Sequence, residues 1–154
     1  MAREHIHTYL TAIGMLSLCS DGNRVTGVFL PAENLPPLPE GTDVLMEHAA
    51  AEIDEYLSGR RQTFDLPLQQ TGTAFQEEVW QAIAAIPYGQ TVTYGALAAA
   101  IGRPGAARAV GTACAENRLP LLVPCHRVVA ADGPGRYAGG SLLKTRLLKL
   151  EREH

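Results

Sequence analysis

A run of prolines divides this chain into a strand-type segment and a helix-type segment. Residues 31–39 read PAENLPPLP, and proline is poorly tolerated inside helices and central strands because it has no backbone N–H to donate. Before this run, β-type residues and a turn signal, Asp21-Gly22-Asn23, predict strands at 7–13, 15–19 and 24–30. After it, apolar residues recur mostly at helical spacing. We therefore expect an α+β (α/β) chain whose sheet lies near the N-terminus.

The helical periodicity also predicts where the domains divide. Helices are expected at 43–58, 73–86, 94–101, 106–116 and 141–152, and one further strand is expected at 62–68. Thr73 and Gln76 have the spacing of a capping box, in which both side chains satisfy backbone N–H groups at the start of a helix. We place a small sheet-bearing domain at 1–70 and a mostly helical domain at 71–154.

Composition places the chain among globular proteins with a hydrophobic core. Forty-six per cent of the 154 residues are hydrophobic, which excludes an intrinsically disordered chain. No apolar run approaches the ~20 residues of a membrane span, and the first residues, MAREH, lack the apolar centre of a signal peptide. Three scattered cysteines do not make a disulfide framework. These features predict a cytoplasmic protein that has no membrane partner.

The net charge of −3 hides two halves of opposite sign. Residues 1–84 carry four basic and twelve acidic side chains, whereas residues 85–154 carry nine basic and four acidic ones. A polyanion would be attracted to the basic half, because salt screens the more distant charges beyond ~10 Å. The alternative is a chance segregation of solvated charges, and charge alone does not decide between the two.

Two of the predicted helices, 94–101 and 106–116, flank a glycine-containing turn, which is the outline of a helix-turn-helix. Thr93 is a natural N-cap for the first of them. The second has one face of small apolar residues and another face that carries Arg108 and Thr112. This pattern fits a helix that presses against a nucleic-acid groove, and without further evidence it favours an ordinary pair of packed helices.

The segment Pro124-Cys125-His126-Arg127 places a cysteine beside a histidine. A thiol attacks carbon only as a thiolate, and a nearby imidazole or guanidinium favours its ionisation. In the last helix, Glu151 lies on or beside the apolar face, where an unpaired carboxylate is costly and a histidine is a suitable partner. Cys125, His126 and Glu151 are thus predicted to act as nucleophile, base and orienting carboxylate. The alternative is a buried structural cysteine beside a solvated histidine.

Five stretches resemble the O6-alkylguanine-DNA alkyltransferase family, also called the methylated-DNA–protein-cysteine methyltransferases. They read TAFQEEVW at 73–80, IPYGQTVTYG at 86–95, AARAVG at 106–111, PCHRVV at 124–129, and Tyr137 with Gly139-Gly140. They follow the family's order and spacing over residues 73–151. The resemblance implies a ribonuclease-H-like sheet domain followed by a winged helix-turn-helix domain, and a monomer that needs no cofactor.

The resemblance also implies a reaction. The protein would flip O6-alkylguanine, or O4-alkylthymine, out of double-stranded DNA and transfer the alkyl group irreversibly to its own cysteine, once per molecule. Cys125 would be the acceptor, His126 the base acting through a water, and Glu151 the group that holds the imidazole. Asn117 would tie the second helix of the pair to the active-site segment, and Tyr94 would donate a proton to the leaving guanine.

The DNA-contacting and base-contacting positions follow from the same matches. Arg108 would enter through the minor groove and fill the gap left by the flipped nucleotide. The other DNA-contacting positions are Thr93, Tyr94, Ala107 and Thr112, and the pocket positions are Cys114, Pro120, Val128, Tyr137 and Ala138. Ala138 stands where some members have serine. His5, His7 and Cys19 do not fall on the metal-ligand positions of some relatives, so no metal is expected.

Two other classes of protein share parts of this pattern. One is a relative that binds alkylated DNA without reacting; such proteins replace the cysteine, so Cys125 argues against this class. The other is a winged-helix regulator in which Cys125 is structural or senses redox state. Transfer of an alkyl group to Cys125 distinguishes the repair protein from both.

Overall fold

The structure is a computed structural model that describes residues 3–154. Met1 and Ala2, which begin the segment that lacks a signal-peptide pattern, lie outside the described residues. The chain separates into two units, the first ending at Gln70 and the second beginning at Thr71. Each unit has its own secondary structure and its own buried apolar residues.

The first unit is built on a three-stranded antiparallel sheet of order β1-β2-β3. Its strands are His5–Thr11 (β1), Gly14–Ser20 (β2) and Val25–Phe29 (β3). The three predicted strands are confirmed, with their ends shifted by one or two residues. Leu16, Leu18 and Val28 are among the side chains that these strands bury.

One helix packs on this sheet, and the segment after it is less regular than its sequence predicts. The helix is Val44–Leu57 (α1), and Oδ1 of Asp43 caps it by accepting from the Met46 N–H at 2.7 Å. The predicted strand at 62–68 is wrong, because only Leu68 makes an isolated parallel bridge to Val25. Its neighbour Pro67 has no N–H to donate, so the pairing cannot extend along the segment.

The second unit contains four helices and one short pair of strands. The helices are Ala74–Ala84 (α2), Tyr94–Ala100 (α3), Ala107–Ala115 (α4) and Ser141–Glu153 (α5). They confirm the predicted helices to within about two residues at each end. The predicted capping box of α2 is present, since Thr73 Oγ1 accepts from the Gln76 N–H and Gln76 Oε1 accepts from the Thr73 N–H.

The strand pair brings two distant parts of the second unit together. Val92–Thr93 (β4) runs parallel to Val128–Val129 (β5), with Val92 opposite Val128. β4 leads directly into α3, and β5 follows the segment that holds Cys125. α3 and α4 pack against each other across a turn, which confirms the helix-turn-helix outline. Among residues 3–154 no helix has the length and apolar character of a membrane span.

Candidate active site

Cys125 begins a single 3₁₀ turn, Cys125–Arg127. The Cys125 N–H donates to the Val123 carbonyl at 2.8 Å, and the Arg127 N–H donates to the Pro124 carbonyl at 3.0 Å. An extended segment would point neighbouring side chains to opposite faces, and this turn removes that alternation. The side chains of Cys125, His126 and Arg127 are all buried.

His126 is held by Glu151 from α5. Nε2 of His126 donates to Oε2 of Glu151 at 2.6 Å, and both side chains are almost completely buried. The carboxylate is an acceptor, so Nε2 carries the proton in this pair and Nδ1 is the basic nitrogen. Burial lowers the pKa of His126 below its ordinary value, against the opposing effect of Glu151. The imidazole is therefore neutral at neutral pH and able to accept a proton.

Glu151 has two further partners, which the sequence analysis did not assign. Nε and Nη2 of Arg127 donate to its two carboxylate oxygens at 2.9 and 3.1 Å, an arrangement that fixes both oxygens. The Gly89 N–H donates to Oε1 at 3.0 Å, from a residue whose φ of 80° favours glycine. Arg127 Nη1 donates to the Ile86 carbonyl at 2.8 Å. The feature of the sequence that could have identified Arg127 is its position as a basic residue between two apolar runs.

Cys125 forms part of the wall of a cavity of about 210 Å³. The lining residues are Tyr94, Gly111, Cys114, Ala115, Asn117, Pro120, Cys125, Arg136, Tyr137 and Ala138. Four of the five predicted pocket residues are among them. The fifth, Val128, is fully buried, and its carbonyl accepts from Lys144 Nζ at 2.6 Å. The structure thus places Cys125, the predicted alkyl acceptor, and four of the five predicted pocket residues around one cavity.

Asn117 joins the end of α4 to the segment that holds Cys125. Its Nδ2 donates to the Val123 carbonyl at 2.9 Å, and its Oδ1 accepts from the Leu119 N–H at 3.0 Å. The same Val123 carbonyl accepts from the Cys125 N–H. These hydrogen bonds link the end of α4 to the segment that holds Cys125, and the role that the resemblance implies for Asn117 stays a prediction.

The other two cysteines are poor nucleophiles by comparison with a thiolate. Burial raises the pKa of Cys114, on the cavity wall, to about 12. Burial likewise raises the pKa of Cys19, in β2 of the first unit, to about 12. Both side chains are therefore protonated thiols at neutral pH.

Lys144 is a residue near the cavity that the sequence analysis missed. Its side chain is completely buried, and Nζ donates to the carbonyls of Val128 and Arg136 at 2.6 and 3.0 Å. Nζ also lies 3.5 Å from the hydroxyl oxygen of Tyr94. Lys144 and Glu151 are seven residues apart on one face of α5, and this spacing was the signal that could have revealed it.

Tyr94 presents a protonated phenol to the cavity. Its pKa is raised, chiefly by burial, while a hydrogen bond with the Arg136 backbone acts in the opposite direction. Gly135 lies against it: a Cβ there would be 2.7 Å from the Tyr94 hydroxyl oxygen. A hydroxyl in this position is able to donate a proton to a group bound in the cavity.

The predicted DNA-contacting residues lie on α4 and at the start of α3. Arg108 and Thr112 are exposed, one helical turn apart on α4, and Ala107 is the first residue of that helix. The Thr112 hydroxyl donates to the Arg108 carbonyl at 3.2 Å. Thr93 Oγ1 caps α3 by accepting from the Ala96 N–H at 3.1 Å.

The histidines of β1 have carboxylate partners. Nε2 of His5 lies 2.6 Å from Oδ2 of Asp43, and Nδ1 of His7 is in contact with Oε1 of Glu40. Within the described chain, 3–154, no group of three or more His, Cys, Asp or Glu side chains is arranged to hold a metal ion.

Comparison with known proteins gives the same family as the motifs. The family profile "6-O-methylguanine DNA methyltransferase, DNA binding domain" matches residues 74–153. The constitutive methylated-DNA–protein-cysteine methyltransferase of Bacillus subtilis is 42% identical over 152 residues, covering 92% of each chain. The methylated-DNA–protein-cysteine methyltransferase of Mycobacterium leprae is 39% identical over 154 residues, covering 96% of this chain and 92% of the relative.

The fold agrees with these sequence matches. A crystal structure of Mycobacterium tuberculosis OGT in complex with DNA superposes with a TM-score of 0.90 at 38% identity, covering 97% of this chain and 93% of that one. The chain belongs to the methylated-DNA–protein-cysteine methyltransferase family. This confirms the resemblance, and with it the two-domain fold class and the enzyme class.

Proposed function

We propose that this chain repairs double-stranded DNA by taking the alkyl group from O6 of guanine, and from O4 of thymine, onto Cys125. The observation that carries the proposal is the position of Cys125. It lies on a cavity wall and directly precedes a buried imidazole whose basic nitrogen is set by Glu151. Family membership supports the same reaction.

The reaction is a displacement at carbon. His126 takes the Cys125 proton through a water, and the resulting thiolate attacks the alkyl carbon. The new S–C bond forms as the bond between that carbon and O6 breaks, and the electron pair of the broken bond stays with the base. Tyr94 donates a proton to the leaving guanine. The product is a stable thioether, so each molecule acts once.

The base must leave the DNA stack to reach the thiolate, at a cost of a few kcal/mol. Arg108 is exposed on α4, where its side chain is available to fill the gap in the duplex. Contacts from basic residues to phosphates bind DNA with little sequence preference. From Thr71 onward the chain carries nine basic and six acidic side chains, which favours such binding.

The test is incubation with a duplex that contains one O6-methylguanine, followed by intact-protein mass spectrometry. We expect a gain of one methyl group per molecule, mapped to Cys125 by peptide analysis. Cys125→Ala abolishes the gain, and Cys19→Ala, in the first unit, leaves it unchanged. Binding that depends on the lesion but gives no mass gain would instead indicate a non-reacting binding protein. Binding that ignores the lesion would indicate a regulator.

A second measurement tests the assignment of Arg108. Arg108→Ala is expected to slow methyl transfer from duplex DNA by at least ~10-fold, since a stacked base is out of reach. Reaction with free O6-methylguanine base does not need flipping and is expected to keep its rate. Equal losses on the two substrates would show that Arg108 supports the fold rather than the flipped state.

We further propose that the protein works as a monomer in the cytoplasm. One copy of the chain supplies the cavity, Cys125, His126 and Glu151. The acceptor must stay reduced to react, and the cytosol keeps thiols reduced. Sedimentation with and without DNA tests the monomer, and cell fractionation tests the compartment.

A further inference from the structure

The charge of Lys144 is balanced differently from that of the other buried cation of the site. Arg127 is neutralised by Glu151 through two hydrogen bonds. Within residues 3–154, by contrast, every acceptor in contact with Lys144 Nζ is a neutral oxygen: two carbonyls and the Tyr94 hydroxyl. A buried cation without a counter-anion is costly, and burial lowers the pKa of Lys144 accordingly.

The anions that act on Lys144 are the thiolates of the cavity. Ionised Cys125, and to a smaller extent ionised Cys114, would raise the pKa of Lys144 and so favour its charged form. Cys114 stays a thiol at neutral pH, because burial raises its pKa to about 12. Cys125 is the cysteine that adjoins the base His126. Its thiolate is thus the negative charge that the site develops beside Lys144.

Lys144 also contacts the two elements that frame the reacting atoms. The Val128 carbonyl belongs to β5, which directly follows the 3₁₀ turn of Cys125. The Tyr94 hydroxyl lies on the cavity wall and is enclosed by Lys144 Nζ, the Arg136 backbone and Gly135. Gly135 has φ 81°, and an added Cβ would collide with that hydroxyl. The Lys144 ammonium group therefore contacts both the strand that follows Cys125 and the hydroxyl of Tyr94, which is the proposed proton donor.

We propose that Lys144 is a positioning residue. Its ammonium group is the counter-ion of the Cys125 thiolate, and it holds the Tyr94 hydroxyl beside the alkylated guanine. This rests on the proposed function, because it concerns the same thiolate. Before the reaction the ammonium stabilises the nucleophile. Afterwards the thioether is neutral, and Lys144 has lost its counter-charge.

Other groups around Cys125 do not supply this charge. His126 is neutral until it takes the Cys125 proton, and its positive charge is then paired with Glu151, as the charge of Arg127 is. Tyr94 on α3 and Cys114 on α4 are protonated at neutral pH, since burial raises the pKa of each. The remaining cation on the cavity wall, Arg136, is exposed to solvent, where its field is strongly screened.

The test compares Lys144→Met and Lys144→Gln with Lys149→Met. Lys149 lies on the same helix with 66% of its side chain exposed, so its removal is the matched control. Two quantities are measured against pH: the single-turnover rate of methyl transfer from duplex DNA, and the rate of Cys125 alkylation by iodoacetamide, assigned by peptide mass. Both Lys144 variants are expected to move the pH midpoint of each reaction upward by about one unit, which is about tenfold in rate at pH values below the wild-type midpoint. At alkaline pH the iodoacetamide reaction recovers fully, whereas transfer recovers only in part, because the contact with Tyr94 is also lost.

A separate variant tests the position of the Tyr94 hydroxyl. Gly135→Ala is expected to displace the Tyr94 hydroxyl and slow transfer from DNA by at least ~10-fold, while the iodoacetamide midpoint stays unchanged. Gly133→Ala is its control, because a Cβ at Gly133 meets nothing within 4 Å. Unchanged transfer in Gly135→Ala would overturn the part of the proposal that concerns Tyr94.

Failure of this proposal is distinct from failure of the proposed function. A wild-type protein that takes up no methyl group contradicts the function itself. A reactive wild type with unshifted midpoints in the Lys144 variants contradicts the counter-ion role. If those variants do not fold, ¹⁵N NMR titration of the lysine ammonium groups decides in the wild type. Methylation of Cys125 is expected to lower the pKa of Lys144, and an unchanged value overturns the proposal.

Discussion

Each unit of the protein buries one glutamate on a helix and surrounds it with the same kinds of partner. In the first unit, Glu52 of α1 is contacted by His48 Nε2 at 2.7 Å and by Arg61 Nη1 at 3.5 Å. The Asp65 N–H donates to Oε1 of Glu52 at 3.1 Å. In the second unit, Glu151 likewise accepts from one histidine, one arginine and one backbone N–H.

The two groups differ in what surrounds the histidine. His48 is 61% exposed and lies on the same helix as Glu52, so water competes for every contact it makes. His126 is completely buried, comes from a separate turn and directly follows a cysteine on a cavity wall. A His–Glu–Arg group is thus not by itself a reactive site. Burial of the imidazole and an adjacent thiol make the difference.

The largest expected contrast comes from removing the charge of each glutamate. Glu151→Gln leaves the buried Arg127 without a counter-ion, which costs about 3–5 kcal/mol of unfolding free energy. Transfer to Cys125 is expected to fall by at least ~100-fold, since the imidazole loses its orientation. Glu52→Gln is expected to cost only about 1 kcal/mol, because Arg61 and His48 regain water, and to leave transfer unchanged.

Urea unfolding and single-turnover transfer measure the two effects of this pair of variants. The two rates are compared at a temperature where both proteins are folded. Similar losses of transfer in Glu52→Gln and Glu151→Gln would mean that burial of the imidazole and the adjacent thiol do not set Glu151 apart from Glu52. The conclusion that the Glu151 group is reactive and the Glu52 group is not would then be wrong.

The matched histidine variants are expected to change the rate of transfer without the loss of unfolding free energy expected for Glu151→Gln. His126→Gln removes the base and is expected to slow transfer by ~10²–10⁴-fold at neutral pH. Much of this loss is expected to return at alkaline pH, where solvent removes the thiol proton. His48→Gln is the matched change in the first unit and is expected to leave the rate within about twofold. A pH-independent loss in His126→Gln would contradict the role of His126 as a base.

The sequence predicts local features of this fold well, because their causes are local. The capping box at Thr73 involves residues three apart, and the strands before the proline run are set by alternation and by the turn at Gly22. The strand predicted at 62–68 fails for the opposite reason. A strand there needs a neighbouring strand to pair with along its length. Pro67 has no N–H to donate, so the pairing is limited to the bridge between Leu68 and Val25.

The candidate site was predictable where a family motif, or a charge on an apolar helix face, singles out a residue, and not where only a contact between distant segments does. Cys125, His126 and Glu151 were assigned from the sequence, and their roles stay predictions until transfer is measured. Arg127 and Lys144 were missed because charged side chains are ordinarily expected at the surface. Whether such a residue is buried depends on partners 24 and 16 positions away along the chain, which periodicity does not report.

The smallest expected effect is a pH dependence of stability that belongs to the buried imidazole alone. An unfolded chain protonates His126 near its ordinary pKa of 6.5, whereas burial lowers its pKa in the folded state. Between the two values the unfolded state binds more protons, so a falling pH favours unfolding. This contribution is complete above pH 6.5 and is lost below it, by at most ~1.4 kcal/mol per pH unit for one proton. Urea unfolding at several pH values measures it, and His126→Gln is expected to flatten the decline. The exposed His48 provides the comparison, because a similar flattening in His48→Gln would show that the decline is not specific to the buried group.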